Sequence, residues 1–165
     1  MGTARTEEGS YTPLPPICAE ALVVRARRWF CALPIEDVVE VFRPRPFEPV
    51  AGAPVFVRGV AVVRGSPVPV VELGALLGGE LSHPGTRFVT VRTQRRVVAL
   101  EVDEIVGVRE LSASDLAAAA PLLGGAAAGL VASLAALDGD LLAVLDCARL
   151  IDGELLDGLA IEGWA

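Results

Sequence analysis

Two acidic residues that follow similar apolar runs are the most suggestive candidates for catalysis. Glu72 follows Val70-Val71, and Asp146 follows Val144-Leu145. A pair of acids can share a proton, as in aspartic proteases, where each acid lies on an Asp-Thr/Ser-Gly loop. Here the acids are followed by Leu-Gly and by Cys-Ala, which provide no hydroxyl. We therefore expect Glu72 and Asp146 to be structural acids that cap turns after buried strands. A hydrolase that uses both acids is the enzymatic alternative.

Other catalytic or metal-binding groups are scarce in the sequence. His83 is the single histidine, and we expect it to be an exposed bystander in a Ser-His-Pro-Gly loop. The three cysteines, Cys18, Cys31 and Cys147, have no Cys-x-x-Cys spacing, and their odd number does not suit a disulfide framework. We interpret them as free thiols in a reducing compartment. The sequence thus predicts no enzyme, no cofactor and no metal site.

The composition sets further limits on function. The chain has 165 residues, of which 53% are hydrophobic and 21% are charged, which is enough for one domain or two very small ones. All 14 basic residues are arginine, and the formal net charge is −7. Without lysine there is no phosphate-binding Gly-Lys-Ser/Thr loop and no Schiff-base lysine. The acidic balance argues against nucleic acid as a partner.

Residues 116–137 form an uncharged stretch that is long enough to span a membrane. The stretch is mainly alanine, however, and it contains Pro121 and several glycines, without aromatic or basic residues at its ends. We therefore expect a loop of small residues followed by a strand, and no insertion into a membrane.

Short valine-rich runs separated by turns predict an all-β fold with little helix. The predicted strands cover residues 22–24, 29–33, 38–42, 55–63, 68–73, 88–91, 97–102, 105–108, 130–134 and 141–145. Short helical turns are expected at residues 73–77 and 148–151. Residues 1–19, with their proline-rich end, are expected to form a flexible lead-in, and residues 153–165 a C-terminal tail.

An internal repeat relates the two halves of the chain. Residues 30–41 resemble residues 97–108, which lie 67 positions later. Residues 70–77 resemble residues 144–151, which lie 74 positions later. The turns before the second pair correspond as well, because Arg64-Gly65-Ser66 matches Asp138-Gly139-Asp140 in position.

A duplicated unit of this length suits a small closed barrel of five strands, which leaves no strand edge unpaired. We predict two such barrels packed together, built from pseudo-repeats at about residues 22–78 and 88–152. The sequence does not decide whether strands cross between the two halves.

The stretch from Gly59 to Leu73 carries the most specific signal in the chain. Its order of Gly, apolar residues, Arg64-Gly65, a short turn, Pro-Val and an acid before Leu resembles the hallmark of the CheW family of bacterial chemotaxis coupling proteins. Three further segments resemble motifs of that family in the correct order, namely Val38-Val39-Glu40-Val41, Val102-Asp103-Glu104-Ile105 and the run from Leu145-Asp146 to Leu150-Ile151. The resemblance covers about residues 20–152.

This resemblance implies two SH3-like β-barrels and an adaptor without catalytic activity. It implies that the protein links the cytoplasmic tips of chemoreceptors to the regulatory domain of the histidine kinase CheA, with self-association in ring-like arrays. It also implies a cytoplasmic location with recruitment to receptor arrays at the membrane. A divergent adaptor of a pathway other than motility and a barrel that binds a small ligand are the alternatives.

The resemblance also assigns roles to individual residues. The expected receptor-binding residues are Arg64, Glu40, Val38, Val41 and Val98. The expected structural residues of the turns and motifs are Gly59, Gly65, Pro69, Glu72, Asp103 and Asp146. Since a tight turn holds Arg64, we expect its guanidinium to be partly exposed and limited in its freedom. Arg58 lies six residues earlier and outside the turn, and we expect it to matter less for binding.

Overall fold

The computed structural model describes residues 19–78, 84–94, 96–111, 116–118 and 130–151. Within these ranges the chain forms eleven strands and one short helix. The elements are β1 (Ala19–Ala26), β2 (Trp29–Pro34), β3 (Val38–Phe42), β4 (Val57–Val63), β5 (Ser66–Glu72), α1 (Leu73–Leu76), β6 (Arg87–Arg92), β7 (Val97–Val102), β8 (Glu104–Leu111), β9 (Leu116–Ala118), β10 (Val131–Leu137) and β11 (Asp140–Leu145). Two 3-10 turns cover Ile35–Asp37 and Cys147–Arg149.

The strands form two sheets. Sheet 1 has the order β8-β1-β2-β11-β10-β9, and sheet 2 has the order β3-β6-β7-β5-β4. The neighbours are antiparallel except for β2 with β11 and β5 with β7, which are parallel. The predicted all-β fold with two five-stranded subdomains and little helix is confirmed, with the three-residue strand β9 as a sixth member of sheet 1.

Strands do cross between the two repeats, which answers the question that the sequence left open. Each sheet combines the first two strands of one repeat with the last three of the other, so that β1 pairs with β8, β2 pairs with β11, and β10 follows β11 in the same sheet. The parallel pairs show the equivalence, because Val70 lies opposite Ala99 and Val144 lies opposite Ala32. The two sheets are therefore related by a pseudo-twofold exchange of strands.

The same β-bulge occurs in the two equivalent hairpins. The register of β4 with β5 shifts between Val57 and Gly59, and the register of β10 with β11 shifts between Val131 and Ser133. The bulged residue between them is Arg58 in sheet 2 and Ala132 in sheet 1. A bulge redirects the side chain at that position. Arg58 and Ala132 therefore occupy equivalent places in the two sheets, but one side chain is charged and the other is a methyl group.

The two sheets have equivalent additions at one edge. In sheet 2, Glu48 forms an isolated bridge with Val60 of β4. In sheet 1, Ala117 of β9 lies opposite Leu134 of β10. Each addition pairs part of an edge strand that would otherwise be open.

Three apolar clusters hold the fold together. The largest joins both sheets, with Leu33 and Leu145 of sheet 1 packed in the same cluster as Val71 and Leu100 of sheet 2. A smaller cluster belongs to each sheet alone, and Phe88 is the largest side chain in that of sheet 2. Successive side chains of a strand alternate between the two faces of its sheet. Because apolar clusters lie on both faces, several strands are buried on both sides.

The predicted short helical turns are present at α1 and at Cys147–Arg149. The prediction of a loop at the start of residues 116–137 is wrong for Leu116–Ala118, which pairs with β10 as β9, whereas the strand at its end is present. Residues 119–129, His83, Cys18, the lead-in up to residue 18 and the tail from residue 152 lie outside the described residues. In the described ranges no helix has the length and apolar character needed to cross a membrane.

Candidate functional site

The hairpin turn between β4 and β5 presents Arg64 to solvent. Arg64 has a φ of 51° and Gly65 a φ of 79°, so both central residues are in the left-handed region, as in a type I′ turn. This turn matches the right-handed twist of the two flanking strands. The equivalent turn of sheet 1 has the same geometry, with a φ of 50° at Asp138 and of 84° at Gly139.

Arg64 and Glu40 form a bidentate ion pair. Nε of Arg64 donates to Oε1 of Glu40 at 3.1 Å, and one terminal nitrogen donates to Oε2 at 2.9 Å. The Arg64 side chain is 79% exposed and that of Glu40 is 25% exposed. The hydrogen bond from Arg64 lowers the pKa of Glu40 below its usual 4.5, so the carboxylate is ionised at neutral pH. The structure thus brings together two of the five residues that were expected to bind the receptor.

The three valines of that set have different environments. Val41 is an exposed residue of β3, and Val38 is half-buried against the cluster that joins the sheets. Val98 is 0% exposed and lies inside this cluster. The prediction that Val98 binds a partner is therefore wrong, because β7 is a central strand and its side chain has no access to the surface.

Two exposed valines near the ion pair were missed by sequence reasoning. Val62 precedes Arg64 by two residues and is 65% exposed, and Val39 precedes Glu40 and is also exposed. Val62 also lines a groove of about 290 Å³ together with Arg45 and Phe47. The signal that could have found Val62 is its apolar side chain one residue before the end of the strand at the Arg64-Gly65 turn.

Glu72 belongs to a buried cluster of charges. One carboxylate oxygen accepts a hydrogen bond from Arg27, and the other lies 3.3 Å from the guanidinium of Arg58. Arg58 also lies 3.0 Å from Glu101, whose side chain is buried. The expectation that the Glu72 side chain caps a turn is wrong, because at the start of α1 it makes no capping hydrogen bond. The carboxylate is held by arginines instead.

The cluster connects the two sheets, because Arg27 lies in the turn between β1 and β2 whereas Glu72 ends β5. Gly74 leaves room for this contact, since a Cβ at that position would lie 2.7 Å from the Arg27 side chain. Arg58 is a half-buried member of the cluster. It is therefore not a suitable control for an exposed arginine such as Arg64.

The remaining residues that were expected to be structural make the following contacts. Asp103 accepts a hydrogen bond from the backbone N–H of Arg27 at 2.6 Å. Asp146 lies directly before the second 3-10 turn and forms an ion pair with Arg149, the last residue of that turn, at 3.5 Å. Gly59 is required by close approach, because a Cβ there would lie 2.2 Å from the carbonyl oxygen of Glu48. Pro69 lies on β5 opposite Val60.

The two candidate catalytic acids do not form a dyad. Glu72 belongs to sheet 2 and Asp146 follows β11 of sheet 1, and each has its own arginine partner. Among the described residues no group of three or more His, Cys, Asp or Glu side chains could hold a metal ion. Arg64 and Glu40 instead form an oriented charge pair at the surface, with exposed apolar neighbours.

Comparison with known proteins decides the family. Residues 20–155 match the CheW-like domain. The chain belongs to the CheW-like domain family. The protein FrzA of Myxococcus xanthus is 32% identical over 121 residues, which are 66% of this chain and 74% of FrzA. The chemotaxis protein CheW of Rhizobium meliloti is 35% identical over 89 residues, which are 53% of this chain and 57% of that protein.

Two further comparisons agree with this family. The protein PilI of Pseudomonas aeruginosa is 35% identical over 91 residues, 50% of this chain and 47% of PilI. The matched part thus spans between about half and three quarters of these relatives. The crystal structure of the scaffolding protein TtCheW from Thermoanaerobacter tengcongensis has the same fold, with a TM-score of 0.73 and 19% identity over 90% of this chain and 96% of TtCheW.

Proteins of this family are non-catalytic scaffolds of chemotaxis-type signalling. The expectation that the chain is not an enzyme is confirmed by its membership of the CheW-like family rather than by the lack of a visible active site. The hydrolase alternative is contradicted by the same finding.

Proposed function

We propose that the protein is an adaptor that couples the cytoplasmic tips of chemoreceptors to the regulatory domain of the histidine kinase CheA. The Arg64–Glu40 pair carries the proposal, because it is an exposed, oriented charge pair on a family motif. One of the relatives is named chemotaxis protein CheW, and this supports a role in a chemotaxis pathway. The receptor-binding residues in this proposal are Arg64, Glu40, Val38 and Val41, and Val98 is no longer among them.

Glu40 orients Arg64 for a partner. The two hydrogen bonds to Glu40 use two of the five N–H groups of a guanidinium and fix its plane. A carboxylate or carbonyl oxygen of a receptor helix can then accept further hydrogen bonds at little cost in side-chain entropy. The exposed side chains of Val41 and Val62 supply apolar contact for the same helix.

The second partner binds through a different face, so that one adaptor holds two proteins at the same time. Sheet 2 presents Arg64 at its β4–β5 turn, and sheet 1 presents Asp138 and Asp140 at the equivalent turn. Opposite charges at equivalent places favour a head-to-tail contact between sheet 1 of one molecule and sheet 2 of the next. The regulatory domain of CheA or a second adaptor can occupy that position, which gives ring-like arrays on the cytoplasmic side of the membrane.

The test is a binding titration of single variants against a receptor signalling fragment and against CheA. Arg64→Ala removes the donors, and we expect about a ten- to hundredfold loss of receptor affinity, as for a charge-assisted hydrogen bond. Arg28→Ala is the matched control, because Arg28 is an exposed arginine in the hairpin turn of the other sheet. We expect it to change receptor binding less than twofold.

The outcome separates binding from folding. Arg64→Ala should leave the affinity for CheA nearly unchanged, and circular dichroism should show the same β content. Equal losses for both partners would mean that the substitution disturbs the fold, and unchanged receptor affinity would remove Arg64 from the site. A pair of exchanged charges, Arg64→Glu with Glu40→Arg, should recover part of the affinity that either single change removes.

A further inference from the structure

A pocket of about 260 Å³ opens at one end of sheet 1. Its walls include the apolar side chains of Pro34 and Ala132. Its rim carries the carboxylates of Glu36, Asp37 and Asp146. An apolar cavity of about 150 Å³ is enough to hold a benzene molecule, so this pocket has room for a long side chain.

The equivalent place in sheet 2 is filled by an arginine. The bulged residue there is Arg58, and its guanidinium lies 3.3 Å from Glu72 and 3.0 Å from Glu101. In sheet 1 the bulged residue is Ala132, and Asp146 takes the place of Glu72. The equivalence extends to the backbone, because the N–H of Glu72 donates to residue 56 at 2.8 Å and the N–H of Asp146 donates to residue 130 at 2.9 Å.

Among the described residues, this pocket has an acid, Asp146, at the place of Glu72, and an alanine at the place of Arg58. Pro34 stands where sheet 2 has Glu101, so the apolar wall is larger than at the equivalent site. Such a site suits a side chain with an aliphatic stem and a cationic end. A planar guanidinium also forms bidentate bonds with carboxylates, which an ammonium group cannot do.

The charges around the pocket favour an added cation. Burial raises the pKa of Asp37, and the nearby carboxylates of Glu36 and Asp146 raise it further, whereas the Cys147 thiol and Arg92 lower it. Arg149 pairs with Asp146 from the solvent side, and its side chain is 73% exposed. Arg149 does not line the pocket, so a second guanidinium can approach Asp146 from within it.

We propose that this pocket binds an arginine side chain that a partner protein inserts, in the place that Arg58 fills from within the chain at the equivalent site of sheet 2. The aliphatic stem of that arginine lies against Pro34 and Ala132, and its guanidinium meets Asp146. The proposal is independent of the Arg64–Glu40 surface, which belongs to sheet 2.

The first test uses Nα-acetyl-arginine methylamide as the probe and follows backbone amide shifts by NMR spectroscopy. We expect shifts centred on Ala132, Ser133 and Cys147, with a Kd of about 1 mM, as for a ligand of few atoms. Nα-acetyl-norleucine methylamide has a similar stem without the guanidinium, and it should bind at least about fivefold more weakly. Equal binding of both probes, or no shifts around the pocket, would overturn the proposal.

Two variants locate the probe. Asp146→Asn should weaken binding of the arginine probe about tenfold, the lower range for loss of a charge-assisted hydrogen bond. Asp138→Asn removes an acid outside the pocket and should have no effect. Ala132→Arg should fill the pocket from within and abolish binding of the probe. If that variant does not fold, the comparison of Asp146→Asn with Asp138→Asn decides, and equal effects would contradict the assignment.

The source of the arginine is tested by sedimentation. If the protein self-associates at micromolar concentration, we expect the arginine probe to have no effect on that self-association. Self-association that is reversed by the probe and abolished by Ala132→Arg would show that a second copy supplies the arginine, and it would overturn the assignment to a different partner protein.

Discussion

Glu72 and Asp146 are equivalent in the internal repeat, but they should differ strongly in their contribution to stability. Glu72 is 6% exposed and contacts both Arg27 and Arg58. Asp146 is partly exposed, and Arg149, which pairs with it, lies mostly in solvent. The perturbation is the replacement of each acid by its amide, Glu72→Gln and Asp146→Asn, which preserves shape and removes charge.

The expected magnitudes follow from burial. Removal of one partner from a buried ion pair costs about 3–5 kcal/mol, because the other charge keeps its desolvation penalty. A surface ion pair contributes between about 0 and 1 kcal/mol. With about 2–4 °C per kcal/mol for a chain of this size, Glu72→Gln should lower the Tm by about 6–20 °C. Asp146→Asn should lower it by less than about 4 °C.

The assays are thermal unfolding, which gives the Tm, and urea unfolding, both followed by circular dichroism and by tryptophan fluorescence, to which Trp29, a half-buried residue of β2, contributes. For Glu72→Gln, the urea concentration at the midpoint of unfolding should fall. The slope of the free energy of unfolding against urea concentration should stay the same, which indicates a change of stability alone. Arg27→Met gives a second route to the same contact, because Met keeps the aliphatic stem. The double variant with Arg27→Met and Glu72→Gln should lose less free energy of unfolding than the sum of the losses in the two single variants.

Two results would refute this reasoning. Equal destabilisation by Glu72→Gln and Asp146→Asn would mean that burial of the ion cluster does not determine its contribution. Strictly additive effects of Arg27→Met and Glu72→Gln would mean that the two side chains do not interact in solution.

Two further predictions test the environments of single side chains. Val98→Ala should destabilise the protein by about 2–3 kcal/mol, from two lost methyl groups and the cavity left behind, whereas Val41→Ala should stay within about 0.5 kcal/mol in urea unfolding; the reverse order would contradict the burial of Val98. Burial raises the pKa of Cys31 to about 12, so at pH 8 this thiol should resist alkylation in the native protein and react in urea, as measured by mass spectrometry of its peptide. Fast alkylation of Cys31 in the native state would contradict its burial.

The strands and the two hairpin turns could be predicted because their signals are local. Arg64-Gly65 and Asp138-Gly139 supply the left-handed residues that a type I′ turn needs, and the flanking valines and leucines supply the strands. The exchange of strands between repeats has no local signal. β2 has the same apolar pattern whether it pairs with the last strands of its own repeat or with β11 of the other.

The assignment of individual site residues was limited by a different factor. Val98 belongs to a strand that is buried on both faces, so its run of valines shows no alternation from which exposure could be inferred. The partners of Glu72 lie far along the chain, at Arg27 and Arg58, and only the packing of the two sheets brings them together. Arg64 and Glu40 were found because a family motif singles out both, whereas their contact with each other required the structure.

The differences between the two repeats support an adaptor with two unlike faces. Apolar positions of the interior keep their character, since the buried Ala99 and Val70 of sheet 2 correspond to the buried Ala32 and the half-buried Val144 of sheet 1. The exposed turn changes from arginine to aspartate, and the bulge changes from Arg58 to Ala132. A duplicated fold that preserved both would offer the same surface twice and would bind one kind of partner at two places. Because the core is kept while the charges are reversed or removed at the surface, each half can select a different partner without any change of fold.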